Sequence, residues 1–195
     1  MLRGVGVLRA MAFAAVVMVA LPAVLPAMLA AQEPAGRAAE TLDTLFARLA
    51  MAEGDKAARI AERIRLLRGQ SGSAALDLLL RHGRAAMERG DVRIATEHFT
   101  ALVDHAPDFA EAWYARAGAY AAAGDIGAAF GDLQRALQLD PRHFDALRDL
   151  GVLLQYVDRP QAAQAALEAS QRLYPQPEAQ DALRRLERML QKLEA

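Results

Sequence analysis

The chain has 195 residues, a net charge of −1 and no cysteine. That balance leaves no electrostatic footprint for nucleic acid. The missing cysteines exclude disulfides, thiol catalysis, zinc–thiolate sites and a lipid-bearing N-terminal cysteine. The 54% hydrophobic content overstates the core, because 45 residues are alanine and the N-terminus is a separate apolar run. The 21 arginines against two lysines, with no asparagine, fit the codon preference of a GC-rich genome.

Residues 1–31 read as a targeting segment. Arg3 and Arg9 precede an uncharged stretch whose centre, from Met11 to Leu21, is strongly apolar, and small residues follow. Positive start, apolar middle and small end is the order of a secretory signal peptide, with cleavage expected after Ala30 or Ala31. A retained N-terminal anchor is the alternative, since the uncharged run reaches the roughly 20 residues that a bilayer requires. Pro22 and Pro26 argue against one continuous helix there. Either fate places the rest of the chain outside the cytoplasm. Residues 32–40, with Pro34 and Gly36 and no apolar period, form a linker.

Residues 41–73 carry two apolar stripes at helical spacing. Leu42, Leu45, Phe46 and Leu49 make the first, and Ala57, Ile60, Ala61, Ile64 and Leu67 the second, with Gly54-Asp55 as the turn. Gly69 is expected to end the second helix and Ser73 to cap the next. The pair is expected to cap a stack of similar units as a degenerate repeat.

From residue 76 onward positions recur every 34 residues. Pro107, Pro141 and Pro175 share this spacing; so do the small residues Gly83, Ala117 and Gly151, and Ala95, Ala129 and Ala163. Phe99, Leu133 and Leu167 follow it, as do Leu79, Trp113 and Leu147. A fixed period of this length marks a stack of helix–turn–helix units. Three copies span 76–109, 110–143 and 144–177. In the middle copy Gly124 stops the first helix in the left-handed conformation and Asp125 caps the second. Asp140-Pro141 ends that second helix, since proline disfavours helical geometry in the residue before it. The third copy has Asp158-Arg159-Pro160 where the others have Gly-Asp. Aspartate tolerates left-handed backbone and proline suits a first helical turn, so the turn is expected to persist. Trp113 is expected to be largely buried. Residues 178–195 carry leucines at 183, 186, 190 and 193 and read as a solvating C-terminal helix; the same seam could instead dimerise. A monomer is the expected state.

Trp113, Gly118-Ala119-Tyr120, Gly124-Asp125, Ala129, Ala136-Leu137 and Leu139-Asp140-Pro141 resemble a near-consensus tetratricopeptide repeat. The resemblance covers about half the chain and implies an all-α, right-handed solenoid with a C-terminal capping helix. The segment Ser71-Gly72-Ser73, Asp77 to Leu80 and Gly83-Arg84 is also similar to a group of uncharacterised exported repeat proteins of Gram-negative bacteria. That likeness implies a periplasmic location.

No catalytic constellation stands out. His82, His98, His105 and His143 have no metal-ligand spacing, and no carboxylate falls inside an apolar run that would raise its pKa. The reading is a non-enzymatic chain without cofactor or metal. On repeat geometry, positions 2, 5, 6, 9 and 12 of each copy point into a concave groove. The candidate peptide-binding residues are Arg81, Arg84, Tyr114, Arg148 and Gln155, with Tyr156 adjacent. Arginine donors and an aromatic anchor suit an extended or short helical peptide of some acidic character. Some members of the family clamp a chaperone's C-terminal carboxylate with Lys and Asn. The corresponding positions here hold Leu80, Arg84, Ala115, Asp145 and Asp149, so that function does not carry over. The sequence thus points to a protein- or peptide-binding adaptor or scaffold of the bacterial envelope; the alternative is a membrane-anchored subunit of an envelope assembly complex. Membrane contact is expected only if the N-terminal segment is retained.

Overall fold

The computed structural model describes residues 40–194. The targeting segment and nearly all of the linker lie outside the described residues. Within them the chain forms nine helices and no strand. These are α1 (Leu42–Leu49), α2 (Gly54–Arg68), α3 (Ala74–Glu88), α4 (Val92–His105), α5 (Ala110–Ala123), α6 (Ile126–Leu139), α7 (Phe144–Tyr156), α8 (Pro160–Leu173) and α9 (Pro177–Glu194). The architecture is a right-handed α-solenoid in which α3–α4, α5–α6 and α7–α8 are the three repeated pairs.

The period of 34 is written into backbone geometry. Gly90, Gly124 and Asp158 stand 34 residues apart, with φ of 78°, 81° and 56°. After each, the next backbone N–H reaches back to close the first helix of its pair: Asp91 to the Ala86 carbonyl, Asp125 to Tyr120 and Arg159 to Leu154, all at 2.9 Å. The third turn therefore keeps the form of the other two. Asp158 accepts the left-handed backbone, and Pro160 opens α8 where its missing N–H costs nothing. Asp125 also caps α6, accepting the Ala128 N–H at 3.1 Å.

The small residues in register allow the two helices of each pair to approach closely. A Cβ on Gly83 would fall inside the Phe99 ring, and one on Gly151 would stand 2.6 Å from Leu167. Phe99, Leu133 and Leu167 are thereby buried in successive copies. Trp113 is buried for the larger part, as expected, but at the edge of this core rather than within it, like Leu79 and Leu147 in the same register. Its indole N–H needs an acceptor and finds the Pro107 carbonyl at 2.9 Å, while the Arg116 guanidinium stands 4.9 Å over the ring.

The two ends of the stack are built differently. The α9 helix lays Ala179, Ala182 and Leu186 against the last pair, next to Leu167. At the other end, α1 and α2 pack together around Leu45, Leu49, Ile60, Ala61 and Ile64. Thr41 and Thr44 cap α1 reciprocally. This pair does not continue the stack as the sequence led us to expect. Each later pair lays its second helix along the first helix of the next, α4 on α5 and α6 on α7, but α2 does not lie along α3. Its apolar cluster closes instead on Phe144, Leu173 and Tyr174, from the third pair and the segment after it.

Candidate functional site

The concave face is built by α3, α5 and α7. Between α5 and α7 lies a cleft of about 190 Å³, lined by Tyr114, Gly118, Ala121, Asp149 and Val152 over a floor of Ala117 and Leu133. Its walls are short for a sequence reason. Gly118 and Ala121 sit one turn apart on α5, and a Cβ added at Gly118 would meet nothing within 4 Å. Val152 is 47% exposed at the rim and Tyr156, at the end of α7, is 77% exposed. The cleft is open to the surface and its lining is mainly apolar.

The charged residues of the same face are already engaged. Tyr114 donates its hydroxyl to Asp149 at 3.0 Å. Arg148 meets Asp149 at 2.8 Å, Asp145 at 3.1 Å and the Gln176 side-chain carbonyl at 2.7 Å. Arg84 is paired with Glu111, whose other oxygen lies 3.2 Å from His143 Nε2. Because His143 Nδ1 accepts the Ala146 N–H at 3.2 Å, the imidazole proton resides on Nε2 and is donated to Glu111. Burial, followed by the Asp149 and Asp145 carboxylates, pushes the Tyr114 phenol well above its usual range. Burial alone would weaken the charge of Arg148, but its carboxylate neighbours outweigh that and hold it more basic than usual.

Arg65 and Arg68, on α2, complete the network. The Arg65 fork grips Asp145 with two bonds, 2.8 and 2.9 Å long, and this pairing raises its pKa further. Arg68 is buried; it donates to Asp140 at 2.7 Å and to the Arg142 carbonyl, while its Nη1 has no hydrogen-bond partner among the described residues. Their guanidinium groups lie 5.2 and 4.9 Å from the Phe144 ring centre.

Of the sequence-predicted residues, Arg84, Tyr114 and Arg148 do come from three successive first helices. Only Tyr114 reaches the cleft, and both arginines are neutralised by neighbouring acids. Gln155 is turned to the C-terminal helix, donating to the Ala182 carbonyl at 3.1 Å. Arg81 is exposed on α3 and Tyr156 on α7.

Helix pairs closed by left-handed turns 34 residues apart, with small residues at the crossing points, are the physical signature of one repeat family. The tetratricopeptide repeat profile matches residues 80–144. A TPR repeat-containing protein of Rhizobium etli is 32% identical over 137 residues, which is 70% of this chain and 67% of the relative. The chain belongs to the tetratricopeptide repeat family.

Solved tetratricopeptide repeat domains have the same fold. The Sgt2 domain of Aspergillus fumigatus matches with a TM-score of 0.60 at 24% identity, over 63% of this chain and 83% of that one. The first such domain of Spaghetti (RPAP3), bound to the HSP90 peptide SRMEEVD, matches at 0.57 and 22%, over 59% and 92%. The second-B domain of yeast Sti1, in a complex with pHsp70, matches at 0.57 and 18%, over 60% and 99%.

Sequence reasoning passed over Arg65, Arg68 and His143, and placed Glu111 among the groove positions without giving it a role. The first two close the apolar stripe of α2, where arginine reads as a solvated helix end. His143 follows Pro141 in a turn, yet it is 1% exposed. One signal was present. Gly54 to Gly90 is 36 residues and not 34, so the N-terminal pair is out of register with the tetratricopeptide repeats.

Proposed function

We propose that this protein is a non-catalytic tetratricopeptide repeat adaptor of the bacterial cell envelope that holds a peptide segment of a protein partner on its concave face. The observation that carries the reading is the open apolar cleft beside Tyr114, roofless because of Gly118, on the face built by successive first helices. Clefts of this kind seat an anchoring side chain, while the surrounding polar groups fix its orientation. Related folds in RPAP3 and Sti1 hold an HSP90 peptide and pHsp70. Here Arg65 and Arg148 are committed to Asp145 and Asp149, so neither is free to receive a terminal carboxylate, and the partner segment is internal or basic at this end. The order of charge and apolarity in residues 1–31 supports export to the periplasm. Retention of that segment would make the protein a membrane-anchored subunit of an assembly complex.

Crosslinking capture from the envelope fraction tests the reading. Gly118→Phe fills the cleft and Tyr114→Ala removes its wall, and both are expected to abolish capture of a partner that the unmodified chain retains. Gln134→Ala, on the exposed face of α6, is the control. A partner lost with Gln134→Ala and kept with Gly118→Phe would refute the groove. N-terminal sequencing of the soluble envelope fraction is expected to begin at Ala31 or Gln32; full-length chain found only with membranes would establish the anchor.

A further inference from the structure

The N-terminal pair lies on the concave surface as a ligand would. Arg65 occupies Asp145, the second position of the third copy, and Gly69 at the end of α2 comes against Arg84, the ninth position of the first copy. Phe46 of α1 stands edge-on to Phe144 at 6.3 Å, and Phe144 in turn meets Tyr174 at 5.3 Å. Apart from the approach of Gly69 to Arg84 on α3, these contacts run from the pair to the second and third copies. The pair is tethered by residues 69–73, where Gly72 takes φ of 82°.

The surface beneath is chemically selective. Among the described residues, Asp145 and Asp149 have Arg148 from the stack, and Asp149 also the Tyr114 hydroxyl; Asp140 accepts the Arg142 N–H at 3.0 Å but finds its cation in Arg68 of α2. Without α2, Asp140 loses its cation and Asp145 keeps only Arg148, so this edge of the surface favours an incoming cation. A guanidinium suits the place better than an ammonium: its planar fork takes Asp145 with two parallel bonds and its face lies over the Phe144 and Tyr174 rings. Among the described helices, the pair also shares the least helix-to-helix contact with the rest of the chain. It is held by ion pairs and one apolar cluster around Phe144, Leu173 and Tyr174, whereas each other pair lays a helix along the next, and local opening follows such differences.

We propose that α1–α2 is a built-in ligand of the concave surface, and that the partner competes for the same place with the same chemistry. That partner segment is a helix with two arginines one turn apart beside an aromatic or large aliphatic residue, received by Asp140, Asp145 and Phe144. The inference rests on the concave face being the binding face, and it replaces the acidic peptide expected from sequence with a basic one. While tethered, the internal pair has a high effective concentration, so a partner binds only when its own contacts, including the open cleft, outweigh that advantage.

A fluorescent synthetic peptide of residues 40–70 is the probe, titrated against the full chain. The double variant Arg65→Ala/Arg68→Ala releases the internal pair and is expected to bind the peptide at least tenfold more tightly than the unmodified chain. Adding Asp140→Asn and Asp145→Asn is expected to remove that gain, as is placing the two alanines in the peptide. Backbone hydrogen exchange accompanies the titration: fast exchange confined to α1 and α2 is expected in the double variant. Equal binding by both chains, a gain that survives loss of both aspartates, or fast exchange spreading through α5–α8 would each overturn the proposal. If the peptide assay fails while Gly118→Phe still abolishes partner capture, the groove reading stands and only the built-in ligand falls.

Discussion

Arg65 and Asp145 are 80 residues apart in sequence and joined by two charge-assisted hydrogen bonds, of 2.8 and 2.9 Å. The aspartate is buried and the arginine only partly so. The two halves of the pair are therefore not equivalent. Removing the arginine leaves the buried carboxylate with Arg148 as its one remaining cation among the described residues, while removing both takes away the charge that Arg65 answered. Arg65→Ala is expected to cost about 1–3 kcal/mol in urea unfolding, moderated by the solvent around its guanidinium. Adding Asp145→Asn should recover part of that loss. A double variant as unstable as the sum of the singles would show that the two residues are not coupled.

The glycines divide into two classes by what a side chain would meet. Gly83→Ala and Gly151→Ala drive a methyl into Phe99 and Leu167, and each is expected to destabilise by about 1–3 kcal/mol. Gly118 and Gly131 lie in helices α5 and α6 with open space around them. Alanine there should stabilise by roughly 0.5–1 kcal/mol through helix propensity alone. Thermal unfolding of the four single variants checks the division, and a drop with Gly118→Ala would mean that the cleft is closed.

What was legible in the sequence was whatever repeats. The spacing of Gly90, Gly124 and Asp158 reports local backbone geometry, which short-range sterics impose wherever the pattern recurs. The stripes of α1 and α2 were equally legible as helices, since amphipathic periodicity is a property of one segment. Their placement was not. It depends on Arg65 meeting Asp145 and on Phe46 meeting Phe144, single long-range contacts that have no period. The groove illustrates the same limit. Repeat geometry put Arg84, Tyr114 and Arg148 on one face, but whether a guanidinium is free depends on its neighbours, and both arginines had acids within reach.

Trp113 and Phe99 test how the core is distributed. Phe99 fills the space left by Gly83 and is 1% exposed, so Phe99→Ala should cost about 3–5 kcal/mol. Trp113 keeps one edge in solvent and depends on the Pro107 carbonyl and two arginines, Arg116 and Arg135. Trp113→Ala should therefore cost less than Phe99→Ala, about 1–3 kcal/mol. Denaturant midpoints of the two variants decide the order, and the reverse order would place the tryptophan in the core.

The Tyr114 phenol gives the stack an alkaline limit. Burial and two nearby carboxylates raise its folded-state pKa far above the ordinary value of about 10. Below that ordinary value the hydroxyl is protonated in both states and stability is insensitive to pH. Above it the unfolded chain releases the proton and the folded chain keeps it, so the unfolded state gains. The slope is one proton, about 1.4 kcal/mol lost per pH unit, and it continues until the folded hydroxyl also ionises. Tyr114→Phe forfeits the bond to Asp149, which lowers stability at neutral pH, but it has no proton to release. Unfolding free energies measured between pH 9 and pH 11 should therefore fall less steeply for Tyr114→Phe than for the unmodified chain. Parallel curves would show that Tyr114 is open to solvent, and the wall of the cleft with it.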